Sequence, residues 1–122
     1  MGATPTIESL LAQWIEAFNS HDLDRHMALY TDDATLFGSV DELQVGKAAI
    51  RAYFRRRPGT IRVRNYPMPH VRTIAPDLAV TAGHVDFADG DQSSPYRMTW
   101  VLVRQDGNWR STQHHGSPRF GF

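Results

Sequence analysis

The sequence contains no cysteine. That excludes a disulfide framework, a thiolate metal site and a cysteine nucleophile, and it leaves histidine and carboxylate as the side chains able to hold a metal or move a proton. A chain without thiols fits a reducing compartment, so a cytoplasmic location is expected. No run approaches the roughly 20 apolar residues a membrane span requires, and "MGATPTIESL" lacks the cationic and apolar segments of a secretory leader. A soluble protein with no membrane partner is expected. Nor is either charge in excess: 13 basic and 13 acidic side chains leave a formal net charge of zero over 122 residues. No long-range field draws such a chain to nucleic acid. Internal repeats, low-complexity tracts and linkers are also missing, and the length suits one domain over residues 1–122 built on a single core.

What is present begins with helical periodicity. Thr4-Pro5 supplies a cap and a first-turn proline, after which Ile7, Leu10, Leu11, Trp14, Ile15 and Phe18 recur at the spacing of one helix face. Asp22 is placed to cap a short second helix carrying Leu23, Met27 and Tyr30 on one side. "ATLF" reads as a short strand and "GSVDELQVG" as a loop. A third helix over Lys47–Arg57 turns Ile50, Tyr53 and Phe54 inward and stops at Pro58-Gly59. Beyond Thr60 the pattern becomes that of strands: "TIRVRNY", "HVRTI", "LAVTAGHVDFA", "YRMTWVLVRQ" and "NWRSTQHH", punctuated by proline and glycine turns that include "DGDQSSP" and Asp106-Gly107. Helices followed by an antiparallel sheet predict an α+β domain with helices on one face of a strongly curved sheet.

The adjacent pair His114-His115 cannot share a face if "NWRSTQHH" is a strand. Reading Gln105-Asp106-Gly107 as a three-residue loop pairs Trp100 with Thr112 and groups Tyr96, Met98, Trp100, Leu102, Thr112 and His114. A two-residue loop would exchange the faces. In the preferred register His114 stands inward among Met98, Trp100 and helix aromatics. The opposite face then carries Val101, Val103 and Trp109, with Gln113 and His115. It is apolar enough to want a cover, which predicts a homodimer or larger homo-oligomer.

The stretches "WIEAFNSHDLDRHMALYTDDATLFG", "PHVRTIAPDLAV" and above all "RMTWVLVRQDGNWRSTQHHGSP" resemble the nuclear-transport-factor-2-like superfamily. Within it the nearest likeness is to the association (hub) domain of calcium/calmodulin-dependent protein kinase II and its stand-alone bacterial relatives, and SnoaL-like proteins also belong there. The resemblance implies a cone-shaped barrel of curved antiparallel sheet wrapped around the N-terminal helices, a pocket between the two, and dimers through the outer sheet face that can build rings. It puts His114 inward, and also Gly83, Val85 and Phe87. Where the kinase hub places arginines in its pocket, the matched positions here are Val85, Trp100 and Gly116.

Several side chains are candidates for chemistry. His114 in an aromatic pocket is a candidate general base or hydrogen-bond donor to a small ligand, since an ordinary imidazole titrates near neutrality. His84 and Asp86 share a strand face at i, i+2, the geometry in which a carboxylate orients an imidazole, and they form the alternative catalytic pair. The pocket is expected to draw on Trp14, Phe18, Tyr30, Phe37, Tyr53, Val85, Met98 and Trp100, with Tyr30 or Tyr53 as hydrogen-bond donors. Neither the His84–Asp86 pair nor His114-His115 has metal-motif spacing, so neither metal nor cofactor is expected. Arg51, Arg55, Arg56, Arg57, Arg62, Arg64 and Arg72 concentrate positive charge, but with net charge zero and no interleaved aromatics beyond Tyr53, Phe54 and Tyr66 this reads as a solvated face. SnoaL-like and ketosteroid-isomerase-like relatives use a carboxylate base and an oxyanion donor inside the cone. The resemblance thus implies a homo-oligomeric protein that binds a small apolar ligand, with proton transfer on a carbonyl compound as the reaction class. A hub-like assembly module without catalysis is the alternative, in which the face of Val101, Val103 and Trp109 carries the function. The terminal Arg119–Phe122, with two phenylalanines, is expected to dock on the body of the protein.

Overall fold

Thr6 opens the first helix in the computed structural model, which describes residues 6–119; Thr4-Pro5 and Phe120–Phe122 lie outside the described residues. The Thr6 hydroxyl accepts a hydrogen bond from the Ser9 amide at 3.0 Å, satisfying one of the free amides at the start of α1 (Ile7–Ser20). His21 ends α1 in the left-handed region, at φ 57°, and the Asp22 amide reaches back to the Ala17 carbonyl. Asp22 then caps α2 (Leu23–Met27) through the Arg25 amide, at 3.1 Å. One helix cap thus leads directly into the next.

The strands that follow are β1 (Tyr30–Phe37), β2 (Gln44–Val45), β3 (Ile61–Asn65), β4 (His70–Ala75), β5 (Leu78–Asp89), β6 (Gln92–Gln105) and β7 (Asn108–Pro118), with α3 (Lys47–Arg55) between β2 and β3. They form one curved, open sheet in the order β2-β1-β7-β6-β5-β3, with β4 also paired to β5. The architecture is α+β, as expected, but the sheet is mixed. The β1 strand runs parallel to β7, because the short α2 and its turn deliver the chain to that edge in the same direction. Two boundaries also differ from the sequence reading. Tyr30 begins β1 instead of closing α2, and most of "DGDQSSP" is strand, since Gly90, at φ 58°, and Asp91 turn the chain tightly and pair Asp89 with Gln92.

The β6–β7 hairpin decides which side chains reach the core. Its loop is the two residues Asp106 and Gly107, at φ 52° and 80°, and it pairs Gln105 with Asn108 and Leu102 with Ser111. Past Ser111 one extra residue, Thr112, bulges out, and the register resumes with Val101 opposite Gln113 and Trp100 opposite His114. The three-residue loop and the Trp100–Thr112 pairing are therefore corrected. The bulge restores the inward face for His114 by a different route. It also corrects Trp109, which the strict alternation of a strand had put outward. An inserted residue reverses the alternation, so Trp109, Ser111 and His114 all face the helices, and Trp109 lies in the core at 8 % exposure.

Leu10, Leu11, Trp14 and Phe18 of α1 pack on Val85, Met98, Trp100 and Leu102 of the sheet, with Ile50 and Phe54 of α3 closing one side. Burying each such side chain contributes about 1.5–3 kcal/mol before chain entropy is counted. Val101 and Val103 are half-buried on the opposite, outer face.

Candidate functional site

Between the helices and the concave face of the sheet lies a cavity of about 410 Å³, walled by Trp14, Phe18, Phe54, Phe87, Met98 and His114 among others. This volume is toward the lower end of the range for small-molecule sites. His114 enters from β7, held between Leu36 of β1 and Trp100 of β6. At 5 % exposure it is a wall residue and not a surface group. The next inward position is Gly116, also on the wall, and a Cβ built there would lie 3.6 Å from His114 Nε2. With only hydrogen at that position, the Nε2 edge is left open to the cavity.

The other ring nitrogen is fully engaged. Trp100 Nε1–H donates to His114 Nδ1 at 3.0 Å, Trp14 Nε1–H donates to the Tyr30 hydroxyl at 3.0 Å, and that hydroxyl is 2.9 Å from the same Nδ1. An indole nitrogen can only donate. His114 Nδ1 must therefore hold a lone pair, the Tyr30 O–H must donate to it, and the ring proton must sit on Nε2. Burial raises the Tyr30 hydroxyl pKa further above its usual value of 10, which keeps that donor protonated. Burial also pushes His114 down to about 3, with smaller contributions from His26 and His115. The imidazole is neutral at physiological pH and presents an N–H to the cavity. Of the two roles weighed for His114, general base and hydrogen-bond donor, this geometry suits the donor.

The remaining sequence candidates separate into three groups. Trp14, Phe18, Tyr53 and Met98 line the cavity. Tyr30, Val85 and Trp100 are buried to 1 % exposure or less in a layer behind the wall, where Tyr30 and Trp100 act through His114. Phe37 is corrected: it pairs with His115, not His114, and its ring lies 5.6 Å from that of His115 on the outer face, 37 % exposed. The alternation of β1 decides this, since Leu36 takes the inward position. The Tyr53 hydroxyl accepts from the Ser39 amide at 2.8 Å and pairs with the Ser39 hydroxyl at 3.0 Å, pinning the β1–β2 loop over the cavity mouth. Gly38 makes room for it, because a Cβ there would overlap the Tyr53 oxygen.

His84 is exposed on the outer face of β5, opposite Arg97 of β6. Asp86 faces the same way, and its Oδ1 is 3.4 Å from Arg119 Nη2, which draws the carboxylate toward an arginine. The structure does not bring this pair to the cavity. The hub-matched positions Val85 and Trp100 are buried and Gly116 is bare wall.

Two residues escaped the sequence reading, one behind the cavity wall and one on it. His26 of α2 is 1 % exposed and stands among Trp14, Phe18, Tyr30 and Phe54, its ring 4.3 Å from that of Phe54. Neither of its nitrogens has a hydrogen-bond partner, and burial followed by the charge of Arg57 pushes it down to about 3. Its signal was in plain view, because Leu23, His26 and Met27 share a helix face by the i, i+3, i+4 rule. The second is Arg57, just past the end of α3. Its guanidinium carbon lies 3.7 Å over the Phe18 ring, and Nη2 and Nη1 donate to the Phe18 and Ile61 carbonyls at 2.7 and 3.4 Å. Arg57 is on the cavity wall, so it is withdrawn from the solvated face assigned to the arginine cluster.

Among the described residues no group of three or more His, Asp or Glu side chains is placed to hold a metal ion, and no helix is long and apolar enough to cross a membrane.

Solved structures share this fold across nearly the whole chain. A ketosteroid isomerase-like protein from Erwinia carotovora is 21% identical, with a TM-score of 0.81 over 94% of this chain and 95% of its own. An NTF2-like protein of unknown function from Pseudomonas putida is 27% identical, with a TM-score of 0.82 over 94% of this chain and 85% of its own. A protein from Thiobacillus denitrificans assigned as a calcium/calmodulin-dependent protein kinase type II association domain is 25% identical, with a TM-score of 0.82 over 98% of this chain and 100% of its own. No curated protein matches the sequence. The family model of the SnoaL-like domain matches residues 7–121, from the first helix through the strand that carries His114, and the chain belongs to that family.

Proposed function

We propose that this protein binds a small, largely apolar carbonyl compound in the cavity and that His114 Nε2–H donates a hydrogen bond to the carbonyl oxygen. The single observation that carries this reading is the chain of donors from Trp14 through Tyr30, together with Trp100, onto His114 Nδ1. That arrangement orients a neutral imidazole without leaving its polarity to chance, and a rigid donor in a dry apolar site polarises a carbonyl far more effectively than one in water. In a proton-transfer reaction His114 would stabilise the developing enolate oxygen. The one carboxylate on the cavity wall among the described residues, Asp89, stands exposed at the rim and is the candidate proton acceptor. The protein acts as a homo-oligomer joined through the outer sheet face around Val101 and Val103. A hub-like assembly module is the second reading, favoured by the likeness to the Thiobacillus protein. The open cavity argues for ligand binding, since an assembly module needs no such space.

Tryptophan fluorescence titration with acetophenone and with its hydrocarbon counterpart ethylbenzene tests the reading. Acetophenone is expected to bind several-fold more tightly, and His114→Ala to bind the two alike. A carbonyl preference that survives in His114→Ala removes His114 from the site, and no binding of either compound removes the ligand reading.

A further inference from the structure

Arg57 presents a charge that no acidic side chain among the described residues pairs with. Its guanidinium is half-buried on the wall of a mainly apolar cavity, held over the Phe18 ring by cation–π attraction and fixed by two backbone carbonyls. Those carbonyls take two of its five N–H groups. The Nε–H is shielded from solvent and has no acceptor. All ion pairs among the described residues lie elsewhere, and Asp89, on the same cavity wall, is not within ion-pair distance of Arg57. Burial lowers the arginine to about 10, so it remains cationic at neutral pH. A cation taken partly out of water without a counter-charge costs stability, and a protein that holds one rigidly in a cavity gains from an anion supplied by the ligand.

The neighbours narrow the class of anion. Arg56 also lines the cavity but is exposed, so among the described residues Arg57 is the one guanidinium held in place on the wall. One fixed guanidinium suits a planar monoanion through parallel N–H···O bonds, whereas a phosphate would bring nearly two charges and three acceptor oxygens to it. Trp14, Phe18 and Phe87 offer flat apolar surface beside it, and His114 Nε2–H offers a separate neutral donor. We infer that the ligand is a carboxylic acid, with an aromatic or alicyclic body among these rings, its carboxylate on Arg57 and its carbonyl oxygen on His114. This inference rests on the ligand-binding reading above and specifies the far end of the molecule.

The test compares 4-oxo-4-phenylbutanoate with its primary amide, which has the same body and no charge, by titration calorimetry at pH 7.5 and low salt. The acid is expected to bind at least tenfold more tightly. Arg57→Gln should reduce the acid to the affinity of the amide, and Arg57→Lys should retain part of the preference. Equal binding of acid and amide to the wild type, or a preference unchanged in Arg57→Gln, overturns the inference. So does a preference lost in Arg56→Gln instead. If Arg57→Gln does not fold, the wild-type comparison and Arg57→Lys still decide. Acetophenone separates the two claims: if it binds while the acid gains nothing, only the carboxylate falls. If acetophenone does not bind either, the cavity reading falls and takes the carboxylate with it.

Discussion

Two donors converge on one nitrogen of His114, and that convergence fixes a tautomer that residue type alone cannot. Protonating Nδ1 would set an N–H against the Trp100 N–H, so the ring resists acid for a geometric reason as well as a solvation one. His26 resists it by burial beside the Arg57 charge. Both histidines are held near 3 in the fold, while in the unfolded chain they take up protons near 6.5. Below that value the unfolded state binds more protons than the folded state, so stability falls as the pH drops from about 6.5 toward 3. Each histidine contributes about 1.4 kcal/mol per pH unit to that loss. Nitrogen-15 NMR should find His114 protonated at Nε2 only, and neither ring titrating between pH 5 and 8; an apparent pKa near 6.5 for His114 would refute the donor arrangement. His26→Leu removes two unpartnered nitrogens and should raise stability at pH 7 by about 1 kcal/mol while halving the acid slope in urea unfolding.

At the scale of the element, the β6–β7 hairpin sets the site. Asp106 and Gly107 both adopt positive φ, the requirement of a two-residue turn matched to strand twist. Thr112 then shifts the register so that Trp109 and His114, five residues apart, face the same way. Gly107→Ala places a Cβ in a left-handed conformation and should cost about 1 kcal/mol in denaturant melts, with the acetophenone affinity unchanged. A drop in affinity would show that the turn communicates with the cavity. The helices α1 and α3 act as lids on the same space, and the Tyr53–Ser39 contact fastens one edge of it. Residues at the end of α3 thereby become wall residues, although their charge reads as surface.

For the whole molecule the outer sheet face matters most. Val101 and Val103 remain half-buried there, flanked by Gln113 and by His115 with the tilted Phe37 ring near it. A second copy would cover this strip and leave the concave side free, so that assembly and binding would occupy opposite faces of one sheet. Light scattering behind a sizing column should give the mass of a dimer or larger. Val103→Glu should reduce it to that of one chain, because a carboxylate in a closed apolar interface costs several kcal/mol. A mutant that keeps the wild-type mass would place the interface elsewhere.

Much was legible in the sequence because it is set by local periodicity. The three helices, the long strands and the inward Trp14, Phe18, Met98 and Trp100 follow from spacing and turn residues, while the family came from the resemblance of whole stretches, above all the last two strands. His26 was legible by the same rule, since it shares a helix face with Leu23 and Met27. Four features were decided by tertiary structure. A single bulged residue reversed the facing of Trp109. Parallel pairing with β7 set the register that puts Leu36 inward and Phe37 outward. Indole donors from α1 and β6, remote in sequence from His114 or across a hairpin, chose its protonation state. The fold of α3 against α1 carried Arg57 from a run of surface arginines onto Phe18. Periodicity reports which way a side chain points along its own element, whereas charge state and cavity access depend on what other elements bring against it.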